Sequence, residues 1–121
     1  MGFSMEADFG DFSTKDLLAK FELLPGQKVQ KVIDRAVIDW CVPYCPWRTG
    51  KLAMSPYTDT DIGSGVIEYG VDYAEEVYYG EDIISFNTEI NPLAGSFWFE
   101  RAMADHMQDV YDAALKAAKE V

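Results

Sequence analysis

The residues able to do chemistry are few, and each lacks part of the set that its chemistry needs. Cys41 and Cys45 stand four apart beside Pro43 and Pro46. That spacing can serve zinc, but a zinc site takes about four ligands, and the sole histidine, His106, is far away in sequence. A disulfide fits the spacing but not a reducing cytoplasm. The pair is expected to be small buried residues at a chain bend. His106 sits between Asp105 and Asp109 in a helical pattern, which makes a short-range His–Asp pair available. A small hydrolase built on it would also need a nucleophile at hydrogen-bonding range, and no motif sets a serine or cysteine there. Glu75-Glu76 and Glu81-Asp82 would act as acid and base only if two carboxylates met in one cleft with separated pKa values. Among 21 acids such neighbours arise by chance. Asp59, Asp61 and Gly63 start like a calcium loop, but its ninth position is Ile67 and its twelfth Gly70, where oxygen ligands belong. Arg48-Thr49-Gly50-Lys51 lacks the paired glycines and Gly-Lys-Ser/Thr ending of a phosphate-binding loop. No catalytic residue, metal or cofactor is therefore expected.

What stands out is a stretch suited to contact. Residues 71–80 hold Tyr73, Tyr78 and Tyr79 with Asp72, Glu75 and Glu76, and Gly80 closes them. Tyrosine joins an apolar ring to a hydroxyl that wants a partner, so it suits surfaces buried on association. The expected division sends Tyr73, Ala74 and Val77 to the core, and Tyr78, Tyr79 and Gly80 to a neighbouring subunit.

The elements that must position these residues follow from periodicity. Residues 1–12 carry Phe3, Phe9 and Phe12 without a period. They read as a flexible tail that orders on a partner, leaving one domain over residues 13–121. Ser13 with Asp16 offers a variant capping box for a first helix through Phe21, which Leu24-Pro25-Gly26 interrupts. Val29, Val32, Ile33, Ala36, Val37 and Trp40 then form one helical stripe, with Asp34, Arg35 and Asp39 mostly outside it, and Pro43 and Pro46 end it. Gly50 supports a tight reversal. Residues 52–57 fit a helical turn or a strand equally. The cluster at residues 58–65 predicts a hairpin turn. Ile67, Tyr69 and Val71 alternate with Val66 and Glu68, as on a half-buried strand. Asp72 is the expected cap of a short helix over residues 73–79. Residues 81–91 are irregular, and Asn91-Pro92 marks a boundary. The last helix is expected to start between Pro92 and Ser96 and to run to about Lys119. Its stripe is Phe99, Met103, Met107, Val110, Ala114, Ala117 and Val121, broadened by Trp98, with an Arg101–Asp105 pair outside. The fold class is α+β: N-terminal helices, a small antiparallel sheet, a short central helix and a long C-terminal helix.

Bulk properties narrow the function. The 121 residues suit one domain, and no apolar run approaches the ~18–20 residues of a bilayer span. The N-terminus carries acids in place of the basic and apolar regions of a signal peptide, so a cytoplasmic protein is expected. A formal net charge of −11 repels nucleic-acid phosphates and argues against sequence-specific DNA or RNA binding. It fits solubility, a surface that DNA slides past, or an acidic inhibitor that mimics DNA and is encoded by a mobile element. The scatter of the acids along the chain weighs against the last.

Four segments taken in order resemble a known family. They are Pro43 with Arg48-Thr49-Gly50-Lys51-Leu52 and Ser55; Gly65-Val66-Ile67-Glu68-Tyr69; Tyr73-Ala74 through Tyr78-Tyr79-Gly80; and Asn91-Pro92-Leu93-Ala94 with Trp98-Phe99-Glu100-Arg101-Ala102. Over residues 28–118 this order resembles the minor capsid proteins of tailed bacteriophages, a group similar to the head–tail joining or tail-completion proteins. Cys45-Pro46-Trp47 is bulkier than the small polar residues common before that turn, and residues 1–12 fall outside the pattern. The resemblance implies a non-enzymatic virion protein of the neck, assembled in the bacterial host cytoplasm. It implies a ring, usually hexameric, between portal and tail tube, touching portal-side adaptor or tail-tube proteins and leaving a lumen for DNA. Tyr78, Tyr79 and Gly80 with the following loop are the expected contact surface on one side, and Phe3, Phe9 and Phe12 on the other.

Overall fold

A computed structural model describes residues 3–6, 8–9, 12–13, 26–80 and 88–119. In chain order its elements are strands β1 (Phe3–Glu6), β2 (Asp8–Phe9) and β3 (Phe12–Ser13), helix α1 (Gly26–Cys41) and a 3-10 turn (Val42–Tyr44). There follow short helices α2 (Lys51–Met54) and α3 (Pro56–Asp59), strand β4 (Val66–Tyr69), helix α4 (Ala74–Tyr78) and the long helix α5 (Trp98–Lys119). The class is α+β, as the periodicities predict.

Helices α1 and α5 make the largest element-to-element contact. Val29, Ile33, Val37, Ile38 and Cys41 of α1 are buried, as are Trp98, Ala102, Met103, Val110 and Ala114 of α5. The alanines let the two helices approach closely, and each large apolar side chain fully removed from water contributes about 1.5–3 kcal/mol. The α1 stripe is rotated from its expected centre. Ile38 and Asp34 point inward, while Val32, Ala36 and Trp40 are only half-buried.

The N-terminal segment corrects the expected tail. β1 pairs antiparallel with β4, in the register Phe3↔Tyr69, Ser4↔Glu68, Met5↔Ile67 and Glu6↔Val66. Phe3 and Met5 pack on the core beside the buried Ile67 and Tyr69. Partial burial of these two side chains and pairing of their backbone hold a segment whose sequence shows no period. β2 and β3 form a separate antiparallel pair, with Phe9 opposite Phe12 and Ser13 opposite Asp8. The helix expected to follow Ser13 lies outside the described residues.

Residues 52–57 are helical, in α2 and α3. Gly50 adopts φ 86° ahead of α2, and a Cβ there would fall 2.7 Å from the Trp47 ring, so both conformation and space call for glycine. Residues 60–65 are no hairpin, because the partner of β4 comes from the N-terminus. Their geometry depends on Asp34. This buried carboxylate accepts from the Gly63 amide (2.7 Å) and the Gly65 amide (3.1 Å) through Oδ2, and from Gln30 Nε2 (2.7 Å) through Oδ1. Both glycines have positive φ.

The edge of β4 away from β1 is closed by side chains. Val66 N–H donates to Ser64 Oγ (3.2 Å), Glu68 N–H to Thr60 Oγ1 (2.9 Å) and Gly70 N–H to Asp59 Oδ2 (2.9 Å). Asp59, which opens the calcium-like pattern, is thus a backbone cap. An edge with its donors satisfied offers nothing to an incoming strand.

Candidate functional surface

The end of α4 carries an aromatic cluster. Tyr73 precedes α4 as its cap residue, without a side-chain capping bond, so Asp72 is not the cap. Tyr78 is 3% exposed and central. Its ring centroid lies 4.6 Å from Trp98, 4.7 Å from Phe3, 5.0 Å from Tyr79 and 5.6 Å from Phe97. Burial, with the charge of Glu100 nearby, raises the pKa of its hydroxyl. Tyr79 is 57% exposed, yet its ring is held edge-on by Phe3 (5.9 Å) and Phe97 (5.8 Å).

Phe97 sits at φ 55°, a left-handed conformation that costs a non-glycine residue about 1–2 kcal/mol. Its N–H donates to the Tyr78 carbonyl (3.0 Å), its carbonyl accepts from Arg101 N–H (3.0 Å), and Ser96 Oγ donates to the Val77 carbonyl (2.9 Å). These bonds hold the end of α4 against the start of α5.

The expected division of the tyrosines is therefore corrected. Tyr78 is core and Tyr73 is 45% exposed, because Phe3 arrives from β1 to cover the side of α4 that carries Tyr78. Ala74 is buried, Val77 half-buried and Gly80 buried. Tyr79 alone of the proposed contact trio is exposed. Phe3 is partly buried within the same cluster, so it joins Tyr79 on one side of the molecule rather than marking a second side. Phe9 and Phe12 are backbone partners across the β2–β3 pair.

The other motif residues have mainly structural places. Pro43 is the second residue of the 3-10 turn. Arg48 and Thr49 are exposed, with Thr49 Oγ1 accepting from Lys51 N–H (3.4 Å). Leu52 is buried, Trp98 fully so, and Phe99 is partly buried. Pro92 lies exposed in the loop before α5. That loop is pinned from both sides. Asn91 Nδ2 donates to the carbonyls of Val42 (2.9 Å) and Cys45 (3.0 Å). Arg101 donates to the carbonyls of Ser96 (Nε, 2.9 Å), Leu93 (Nη1, 2.7 Å) and Tyr44 (Nη2, 3.1 Å). Arg101 is thus a loop clamp rather than half of a pair with Asp105, which instead accepts from the Tyr44 hydroxyl (2.5 Å). The sequence signals for Asp34, Asn91 and Arg101 were faint: an acid flanking an apolar stripe, and polar residues beside Pro92 and inside a helix.

The residues with chemical potential are otherwise engaged. Cys41 and Cys45 are free thiols, both buried. Burial pushes the Cys41 thiol up to about 12 and Cys45 well above its ordinary value. The folded protein is expected to react with no thiol-exchange reagent near pH 8, and the unfolded chain with both thiols. Keeping Cys41 protonated stabilises the fold fully below pH 9, and this contribution is lost as the pH rises from there toward 12. A fall in the urea midpoint over that range checks it. His106 stacks on Trp40 (centroids 3.8 Å apart, planes 13° apart), meets Tyr44 edge-on at 5.9 Å and pairs through Nδ1 with Asp109 (2.8 Å). No serine or cysteine hydrogen-bonds to it among the described residues.

An α+β domain with a pinned loop and a half-exposed aromatic cluster has the make-up of a structural, contact-making protein. The family model described as minor capsid protein matches residues 10–118. The chain therefore belongs to the minor capsid protein family of bacteriophages. No curated protein and no solved structure matches it. Family membership gives it a structural role among other virion proteins. Among the described residues, no helix is long and apolar enough to cross a membrane.

Proposed function

We propose that the chain is a non-catalytic subunit of the phage neck, completing the head–tail joint as a homo-oligomeric, sixfold ring between the portal side of the capsid and the tail tube.

 The observation that carries this reading, beside family membership, is the set of large apolar side chains left 45–60% exposed: Met54, Tyr73, Tyr79, Ile90 and Leu93. Met54 and Tyr73 line one open cleft, and Ile90 and Leu93 share one loop; exposed apolar side chains grouped in this way suit surfaces that neighbouring subunits cover. Ring subunits meet head to tail and need two different contact surfaces. The Tyr79 cluster, with Phe3 beside it, suits contact with a portal-side adaptor or tail-tube protein, since its rings are already held in place and lose little freedom on docking.

Excess negative charge suits a lumen through which DNA passes without sticking. The DNA-mimic alternative is weaker, because many carboxylates serve the chain itself. Asp34, Asp59, Asp105 and Asp109 bond to backbone amides or side chains of their own domain, as does Asp39 with Tyr57 and Arg35. The test is imaging of phage particles by cryo-electron microscopy, with light scattering of the purified chain. Density for a ring of this chain at the head–tail joint is the expected result. A chain that is monomeric and absent from particles overturns the reading.

A further inference from the structure

The β1–β4 pair is open on one side only. Val66, Glu68 and Gly70 send their N–H groups to the edge that Ser64, Thr60 and Asp59 close. Alternate residues of an antiparallel strand face opposite sides, so Ile67 and Tyr69 are the residues that bond to β1, through Met5 and Phe3. Ser4 therefore turns its N–H and C=O away from β4, and Glu6 its N–H. Ser4 is exposed, and among the described residues nothing bonds to these outward groups. Unpaired backbone groups on a strand edge are a template for one more strand.

We infer that the outer edge of β1 accepts, as a third strand, an extended segment of a different virion protein, apolar at the positions facing the core and basic at the alternate ones. Two features specify those side chains. On the core side, the exposed Tyr79 ring meets Phe3 of β1 and, among the described residues, makes no ring contact with Tyr69 of β4. It therefore lies on the β1 side of the sheet, where an apolar side chain placed beside Phe3 covers it. On the opposite side, Glu68 stands across from Ser4. Its carboxylate is exposed and joins no ion pair among the described residues. A third strand lies about 10 Å from β4, two strand spacings away. Ser4 is small enough for a Lys or Arg to reach across it to Glu68. A second copy of β1 suits this edge poorly, since it brings Glu6 toward Glu68 and sets two chains of net charge −11 together.

This inference rests on the reading that the Tyr79 side meets another virion protein, and the experiment separates the two. The isotope-labelled full-length chain is titrated with two octapeptides, one alternating Lys and Val, the other Glu and Val. The Lys–Val peptide should shift the amide signals of Ser4 and Glu6 and bind about tenfold more tightly than its acidic counterpart. Ser4→Pro removes the outward donor and spares the bonds to β4, a place where an edge strand tolerates proline. It should weaken peptide binding about tenfold and leave the unfolding midpoint near that of the parent. Glu68→Lys, on the exposed face, should reverse the peptide preference. No shift at Ser4 with millimolar Lys–Val peptide, binding indifferent to both substitutions, or β1 paired with β1 of a second copy overturns the third strand. In particles, normal incorporation of Ser4→Pro chains with loss of Tyr79→Ala chains removes the strand and keeps the contact reading. Normal incorporation of both removes the contact reading as well.

Discussion

Tyr78→Ala is expected to cost the folded monomer about 4 kcal/mol, the scale for truncating a buried aromatic. Tyr79→Ala should cost about 1 kcal/mol or less and act instead on assembly. The two residues are neighbours of like chemistry, but Tyr78 is 3% exposed and Tyr79 57%. Removing the Tyr78 ring leaves Phe3, Trp98 and Phe97 facing a hole that the backbone cannot close. The carbonyl of residue 78 is bonded to Phe97 N–H and that of Val77 to Ser96 Oγ, so α4 cannot collapse inward. Denaturant titration with an unchanged slope measures the first effect. Recovery of variant chains in assembled particles measures the second. Equal destabilisation by both substitutions would return Tyr79 to the core and remove it from the contact surface.

Asp34→Ala should destabilise by about 3 kcal/mol, because it strands several donors at once. Gly63 N–H, Gly65 N–H and Gln30 Nε2 all point at this one carboxylate. Without it the turn ahead of β4 loses its anchor, and with it the start of the strand that pairs with β1. Asp34→Asn keeps the shape and one acceptor oxygen, so it should retain part of the stability. Its amide also presents donors toward Gly63 or Gln30, so it cannot restore all three bonds. Hydrogen exchange at the amides of Gly63 and Gly65 should quicken in both variants, most in Asp34→Ala. An alanine variant as stable as the asparagine variant would show that the turn holds itself.

Both results concern features at the limit of what a sequence shows. The long helices were legible because each repeats its apolar period over many turns. α5 buries Met103, Val110 and Ala114 as the pattern predicts, and β4 buries Ile67 and Tyr69 by simple alternation. α4 is a different case. Five residues make barely more than one turn, so no period can say which tyrosine faces inward. Phe3 decides that, from the other end of the chain. The same holds for Asp34. An acid beside an apolar stripe reads as solvated until two glycine amides from a distant turn are placed within 3.1 Å of it.

By itself, then, the sequence determined the two main helices, the strand β4, the α+β class and the ordered motifs of the minor capsid family. These depend on short-range spacing, which any single chain displays. Tertiary structure alone decided that Phe3–Glu6 completes the sheet, that Tyr78 is core while Tyr73 and Tyr79 are exposed, and that Arg101 clamps the Leu93 loop. Each of those outcomes depends on contacts between residues far apart in the chain, where the energy of burial and of pairing buried polar groups overrides local preference.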